Sequence, residues 1–345
     1  MKKLLYKALQ YVLFLGLGLL LVYWSVRNFT ASDWQNIRQA FANGNYAWLA
    51  AAFVCILFSH WLRAVRWQHL IKASYKHYPG IVNTTAAVLI NYLINLAFPR
   101  LGEVSRCGVV NKYDKIPMSI ALGTVVAERV IDVILLFLFT VLMFFWQADT
   151  IGVYAHQKII APIEAKFANL TQTGWGTFIL LLAIALIIGL AWFMKRRLQQ
   201  FAVYNKLKSL ALSFIKGVVA VQKVQRPLLF WVSSILIWVG YYLAIMACFK
   251  VTSFTDTLSW GAAFAVLIVG SYGMIATQGG IGAYQLLVSG LLVLYGLEQT
   301  LAYGFSWLLW SAQTFLSVFL GFIGLVGLPI INKQNKANTT ATTNN

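Results

Sequence analysis

The sequence predicts an all-α polytopic membrane protein. It has about six full transmembrane helices and two oppositely oriented re-entrant helical hairpins, arranged as an inverted repeat. Three observations carry this. The 345-residue chain is 60% hydrophobic and only 10% charged, where a soluble domain carries about a quarter charged residues. Apolar runs long enough to cross a hydrocarbon core of about 30 Å recur along it. Two places between apolar runs, "NLAFPRLGEVSRCG" (95–108) and "ATQGGIGAYQ" (276–285), carry Pro or Gly breaks.

Charge and motif content narrow the function classes. Lys and Arg number 27 against 9 Asp and Glu. The bases cluster in short loops beside apolar runs, which fits the positive-inside rule and contact with anionic lipid heads rather than nucleic acid. Cys55, Cys107 and Cys248 are scattered without a CxxC spacing, and the four histidines show no ligand spacing. Neither a zinc site nor a disulfide framework follows. No nucleophile elbow, P-loop or zinc-protease motif is present. No cofactor, no metal and no catalytic constellation are expected.

Each element follows from the runs and the loops between them. "MKKLLYKALQYVLFLGLGLLLVYW" is too long for a signal-peptide core and is followed by no small-residue cleavage site, so it reads as a retained first helix over 8–26. Lys2, Lys3 and Lys7 place its start in the cytoplasm. The loop 27–45 is nearly balanced, as an outside loop is. The run 46–62 returns to "RAVRWQHLIKASYKH" (63–77), strongly basic and therefore read as a cytoplasmic loop. "NKYDKIP" (111–117) is basic too, so residues 78–110 must leave and come back. The return arm Leu101–Asn111 spans 11 residues, roughly 16 Å as helix, about half a bilayer. A hairpin with "AFPRLGE" at its tip is the economical solution, tolerated at depth only where protein or water surrounds it.

Pro117 is placed as the first residue of the span 117–146. Residues 147–174 form an outside loop, and 176–194 returns. Residues 195–227 hold eight bases and no acid, with apolar residues at roughly helical spacing. They read as a basic amphipathic helix on the inner leaflet, against the plainer alternative of a solvated linker. Run 227–249 goes out. Runs 257–277 and 281–296 form the second hairpin, entered from outside, and 300–330 returns. The polar tail 332–345 reads as disordered. Trp24, Tyr46, Trp48 and Trp175 lie near span ends, as an aromatic belt does.

Two clusters carry charge into these runs. In "TVVAERVIDVILLF" (124–137) Glu128 lies about 11 residues into its helix, roughly 16 Å deep, with Arg129 adjacent and Asp132 one turn on. Burying each costs on the order of 3 kcal/mol even on the lenient insertion scale. Arg100, Glu103 and Arg106 sit at comparable depth on the first hairpin. Three arginines then face three carboxylates, either as a clamp stapling hairpin to helix or as a grip on a ligand phosphate, which guanidinium forks suit. In the second hairpin Gln278, Gly279, Gly280, Gly282, Tyr284 and Gln285 form the partner element. A helix starting after Gly282 would aim its N–H groups inward and favour an anion. A tight helix-packing turn is the other reading.

The stretch "NYLINLAFPRLGEVSRCGVVNKYDKIPMSIALGTVVAERVIDVILLF", with "QGGIGAYQ" later, resembles the lysylphosphatidylglycerol synthase/flippase transmembrane family. The motif residues are Arg100, Gly102, Glu103 and Arg106, then Glu128, Arg129 and Asp132. The resemblance covers the chain outside its tail. It implies a flippase-like transmembrane domain over 1–331 in a bacterial or archaeal inner membrane, with re-entrant helices; Lys2, Lys3 and Lys7 at one end and Lys333 and Lys336 at the other read as cytoplasmic termini. It further implies movement of polar-headed lipids between leaflets. Two positions depart from the family pattern: Gln278 stands where a proline is usual, and Gln285 where a glutamate is expected. No aminoacyl-transferase domain follows residue 331 in this sequence, so the expectation is of a chain that moves a lipid rather than makes it.

The leading expectation is a lipid flippase or transporter for a polar-headed phospholipid, anionic or aminoacylated. Its head-group residues are Arg100, Glu103, Arg106, Glu128, Arg129, Asp132, Gln278, Gly279, Gly280, Gly282, Tyr284 and Gln285. The alternative is a non-transporting membrane partner that binds lipid and presents it to a separate lipid-modifying transferase. A homodimer is admitted as a further partner expectation. An integral membrane enzyme ranks last, because no nucleophile or metal constellation accompanies the Glu128/Asp132 pair.

Overall fold

The structure is a computed structural model describing residue 16 and residues 18–75, 77–98, 101–152 and 224–343. Side-chain statements end at residue 333. Among the described residues every regular element is helical. The expected span 176–194 lies outside the described residues, as do about half of the first helix (8–26), most of the loop 147–174 and nearly all of the amphipathic segment 195–227. Pro99, Arg100 and Trp175 also lie outside.

Residues 18–26 are helical and lead to α1 (Ala31–Ala42). A capping box starts α1: the Thr30 side chain accepts from the Asp33 N–H, and the Asp33 carboxylate accepts from the Thr30 N–H at 2.7 Å. Then comes α2 (Ala47–Tyr75), 29 residues. It runs through residues 63–75, most of the stretch 63–77 that the sequence suggested was a cytoplasmic loop. Nothing between Arg63 and Tyr75 breaks a helix, and Arg63, Arg66 and His69 are buried. The positive-inside reading counted as solvated two arginines that the bundle pairs internally.

A first helical hairpin follows: α3 (Ile81–Ala97) and α4 (Leu101–Asp114), 17 and 14 residues. At 1.5 Å per residue they are about 26 and 21 Å long, each short of a bilayer core. Next is α5 (Met118–Trp146), 29 residues, with Pro117 as its N-cap rather than its first helical residue. After the undescribed stretch the order recurs. Long helix α6 (Pro227–Phe249) is followed by a second broken pair, α7 (Trp260–Ala276) and α8 (Ala283–Leu294), joined by a 3-10 turn at Gln278–Gly280. Last is α9 (Gln299–Thr343), which carries Pro329 and extends through most of the tail expected to be disordered.

Among the described residues three helices are long and apolar enough to cross a membrane: Ala47–Tyr75, Pro227–Phe249 and Gln299–Lys333. Helix α5 has the length as well and differs by the three charges at its middle. Large apolar side chains stand exposed along these helices. Val133, Phe137, Leu138 and Phe145 do so on α5, Leu228, Trp231 and Ile235 on α6, and Phe315, Phe319 and Phe322 on α9. Faces of that kind are satisfied by lipid, not by water. The chain is a helical membrane protein.

Packing between the halves is close. Helix α2 lies against α6, and α9 against α3. A Cβ on Gly240 would stand 2.1 Å from Ser59 Oγ, and one on Gly321 would stand 2.6 Å from the Leu89 carbonyl oxygen. Small residues let these backbones approach, the usual basis of helix association in lipid. Ser59 donates across the α2–α6 seam to the Ile237 carbonyl at 3.1 Å. One apolar core joins α2, α3, α4, α5 and α6 around Trp67, Cys107, Val125 and Phe230. A second joins α2, α5, α6, α7, α8 and α9 around Ile56, Phe249, Phe264 and Phe305.

Candidate functional site: a buried arginine cluster

The charges of α5 meet the basic turn of α2. Glu128 and Asp132 share one face of α5, four residues apart, and Arg63 and Arg66 share one face of α2. Arg63 Nη1 lies 3.1 Å from Glu128 Oε1 and 2.8 Å from Asp132 Oδ2. Arg66 Nη2 lies 3.1 Å from Glu128 Oε1 and 2.7 Å from Asp132 Oδ1. Each arginine thus bridges both carboxylates. From the first hairpin, Arg106 Nη2 donates to Glu128 Oε2 at 2.8 Å. Arg129 completes the set, 3.4 Å from Glu128 and 3.7 Å from Asp132.

Burial is nearly complete. The side chains of Arg66, Arg106 and Glu128 are fully buried, and those of Arg63 and Asp132 nearly so. Arg129 alone is 42% exposed at its side chain and forms the open edge of the cluster. Four guanidinium groups face two carboxylates, so two positive charges are left over. Donors are left over as well: Nε of Arg63, Arg66, Arg106 and Arg129, and Nη1 of Arg106, are buried without a hydrogen-bond partner.

The positions of these side chains are themselves fixed. The Arg106 guanidinium lies 4.5 Å from the Trp67 ring centroid, a favourable cation–π arrangement. The Trp67 indole N–H donates to Thr124 Oγ1 at 2.9 Å, tying α2 to α5 one turn before Glu128. Arg66 Nη1 reaches Ser234 on α6 at 3.5 Å. At the hairpin tip the Gly102 N–H donates to Asn95 Oδ1 at 2.9 Å, and a Cβ on Gly102 would stand 2.2 Å from the Asn91 carbonyl oxygen. This close approach of α4 to α3 sets the arm from which Arg106 projects one turn later.

The second hairpin touches the first at the tip. Gln278 Nε2 donates to the Asn95 and Leu96 carbonyls, groups freed by the end of α3. Gly279, Gly280 and Gly282 take positive φ of 62, 78 and 81°. A side chain at Gly282 would also collide with Gly18, which packs on the turn. The Gly279 carbonyl accepts from the Trp310 indole at 2.8 Å. Tyr284 is lodged against Gly270 and Gly273. Gln285 is fully buried, its Oε1 accepting from the Gly282 N–H at 2.8 Å and its Nε2 without a partner.

The candidate residues therefore fall into two groups. Arg106, Glu128, Arg129 and Asp132 come together. Gln278, Gly279, Gly280, Gly282, Tyr284 and Gln285 build the second tip, and among the described residues no ion pair or hydrogen bond joins them to the arginines. Glu103 is half-buried at the start of α4 and makes no ion pair among the described residues. Arg100 lies outside them. Where the sequence suggested three arginines against three carboxylates, the described cluster holds four against two. Arg63 and Arg66 are the additions. Their signal was a pair three residues apart, directly after an apolar run and with no breaker before Pro79.

The sequence profile described as the lysylphosphatidylglycerol synthase TM region matches residues 9–321. Neither the curated proteins nor the solved structures compared give a match. The matched span takes in both hairpins and the whole arginine cluster, and the chain belongs to the lysylphosphatidylglycerol synthase transmembrane family.

Proposed function

We propose that this chain moves a phosphate-bearing membrane lipid between leaflets, its head group held at the arginine cluster while its tails stay in the bilayer. The observation that carries this is the surplus of charge. A buried cluster with two uncompensated guanidinium charges and unpartnered N–H donors, inside a membrane bundle, is short of an anion. Leaving such groups bare in hydrocarbon is costly. Guanidinium forks match phosphate oxygens, and Arg129 at the exposed edge is where a head group would first be met.

The two broken helix pairs support the transport part of the reading. We take them as re-entrant hairpins of an inverted repeat, entered from opposite faces, with alternating access given by one half rocking against the other. On this reading the protein is a transporter and not an enzyme, in an inner membrane. The family ties it to the handling of membrane phospholipids.

Reconstitution into vesicles tests the proposal. With a fluorescent anionic phospholipid the chain is expected to speed leaflet exchange, and Arg129→Ala to slow it by about tenfold or more, the loss of one charge-assisted contact. Exchange that is the same in protein-free, wild-type and variant vesicles overturns it.

A further inference from the structure

One turn before Arg63 on the same face of α2 stands His60, fully buried. Its ring joins four helices, two from each side of the undescribed stretch. Nε2 lies 3.0 Å from Ser317 Oγ on α9, and Nδ1 lies 3.3 Å from the Tyr241 hydroxyl on α6. The Tyr92 ring of α3 packs against it, centroids 4.5 Å apart, and the Tyr92 and Tyr241 hydroxyls are 3.4 Å from each other.

The direction of donation can be worked out. Ser317 gives its own proton to the Gln313 carbonyl at 2.8 Å, so its oxygen accepts from His60, and Nε2 carries the hydrogen. Nδ1 is then bare and accepts from Tyr241, which accepts in turn from Tyr92. The ring is satisfied as a neutral group. It would be satisfied equally with a second proton. On protonation of Nδ1 the Tyr241 hydroxyl rotates, its oxygen accepting from Nδ1–H and its own proton turning to Tyr92. Hydroxyls serve as donor or acceptor by rotation alone. The half-buried Tyr92 gives the chain a more accessible end.

What opposes the second proton is first burial within the bundle and then the positive charge of Arg63, not hydrogen bonding. The groups around His60 are Arg63 on its own helix, Tyr92 from α3 and Tyr241 from α6. Helix α9 contributes only the uncharged Ser317 and Gln313, and Glu128 and Asp132 of α5 are reached through Arg63. With Arg106 and Arg129 counted, the cluster reached through Arg63 is two charges positive. An anion seated on the arginines removes the surplus.

We propose that His60 is a proton-binding site linked to occupancy of the arginine cluster: an anionic head group at the arginines and a proton at Nδ1 favour one another. The inference rests on the anion-binding reading above and adds the coupling. Linkage makes the effect reciprocal, so an affinity that rises with acidity and a proton taken up on binding are one quantity seen twice. Proton and lipid anion would then load together, which gives a transporter a means of drawing on a proton gradient.

The test uses detergent-solubilised full chain and short-chain phosphatidylglycerol, with its deacylated head group, glycerophosphoglycerol, as a second arm. A phosphodiester keeps one negative charge across the working range, so the probe does not titrate. Wild type is expected to bind the lipid about tenfold more tightly at pH 5.5 than at pH 7.5 and to take up protons from weakly buffered solution on binding. His60→Gln keeps the pH 7.5 affinity, loses the pH dependence and takes up none. Tyr241→Phe keeps the imidazole and shifts the midpoint of the dependence, which guards against a misfolded glutamine variant. The head-group arm shows whether phosphate chemistry alone elicits the uptake or the acyl chains are needed. A pH-independent wild type that still loses affinity in Arg129→Ala overturns the coupling and leaves the phosphate grip standing. An unchanged pH profile in His60→Gln overturns His60 as the site. No saturable binding of either probe at any pH overturns both readings.

Discussion

Arg106 and Glu128 meet at 2.8 Å, both fully buried, and their contact fastens the second arm of the first hairpin to α5. Glu128 is the shared acceptor for all four arginines. It is the residue on which the charge balance of the cluster turns.

Replacing Glu128 by glutamine keeps the shape and removes one of two carboxylates from among four guanidinium groups. Breaking a buried ion pair from one side costs about 3–5 kcal/mol. A clearly lowered thermal midpoint in detergent is expected, partly restored in the double variant Glu128→Gln/Arg106→Gln, where one cation goes as well. Unaltered melting of the single variant would mean that the four arginines do not depend on this acceptor.

Trp67 holds Arg106 by its ring face and α5 by its indole N–H. In Trp67→Leu both are lost, and a cation–π contact in a dry site contributes about 2 kcal/mol. Exchange of anionic phospholipid in vesicles is expected to slow several-fold. Slowing of a lipid without a phosphate to the same degree would point to general loosening instead.

Gly102 leaves no room for a methyl group, since its Cβ would lie 2.2 Å from the Asn91 carbonyl oxygen. Gly102→Ala must push α4 away from α3 and carry Arg106 with it. Overpacking of this kind costs about 1–3 kcal/mol. Reduced yield of folded protein in mild detergent and slower lipid exchange are both expected. Gly108, around whose Cβ position there is open space, is the control.

Gln278 ties the two hairpin tips through the Asn95 and Leu96 carbonyls. Gln278→Ala frees them, and each of two lost hydrogen bonds is worth about 1 kcal/mol. A cysteine introduced at Leu96 in a background without native cysteines is expected to react several-fold faster with a membrane-permeant thiol reagent when Gln278 is alanine. Equal rates would mean that the tips are held by other contacts.

The helices and their breaks could be read from the chain because each rests on local chemistry. One apolar stretch gave way near Pro99 and another at the glycines of 279–282, Pro117 opened the next, and α6 spans the expected 227–249. That the charges of α5 would meet those of the first hairpin followed from depth alone; which of them pair did not. Arg63 and Arg66 did not, because basic residues after an apolar run look alike whether they face water or a carboxylate on another helix. Only the placement of α2 against α5 tells them apart. His60 was passed over for a related reason: its partners Tyr92, Tyr241 and Ser317 are brought to it by packing, from positions up to 257 residues away in the chain.

The second turn has its open carbonyls and tips occupied by side chains: Trp310 on Gly279, and Gln278 on the end of α3. On the transport reading proposed above, a turn plugged in this way holds back small ions while the arginines are free to take a head group. A carrier of large molecules can then sit in an energised membrane without dissipating the voltage across it.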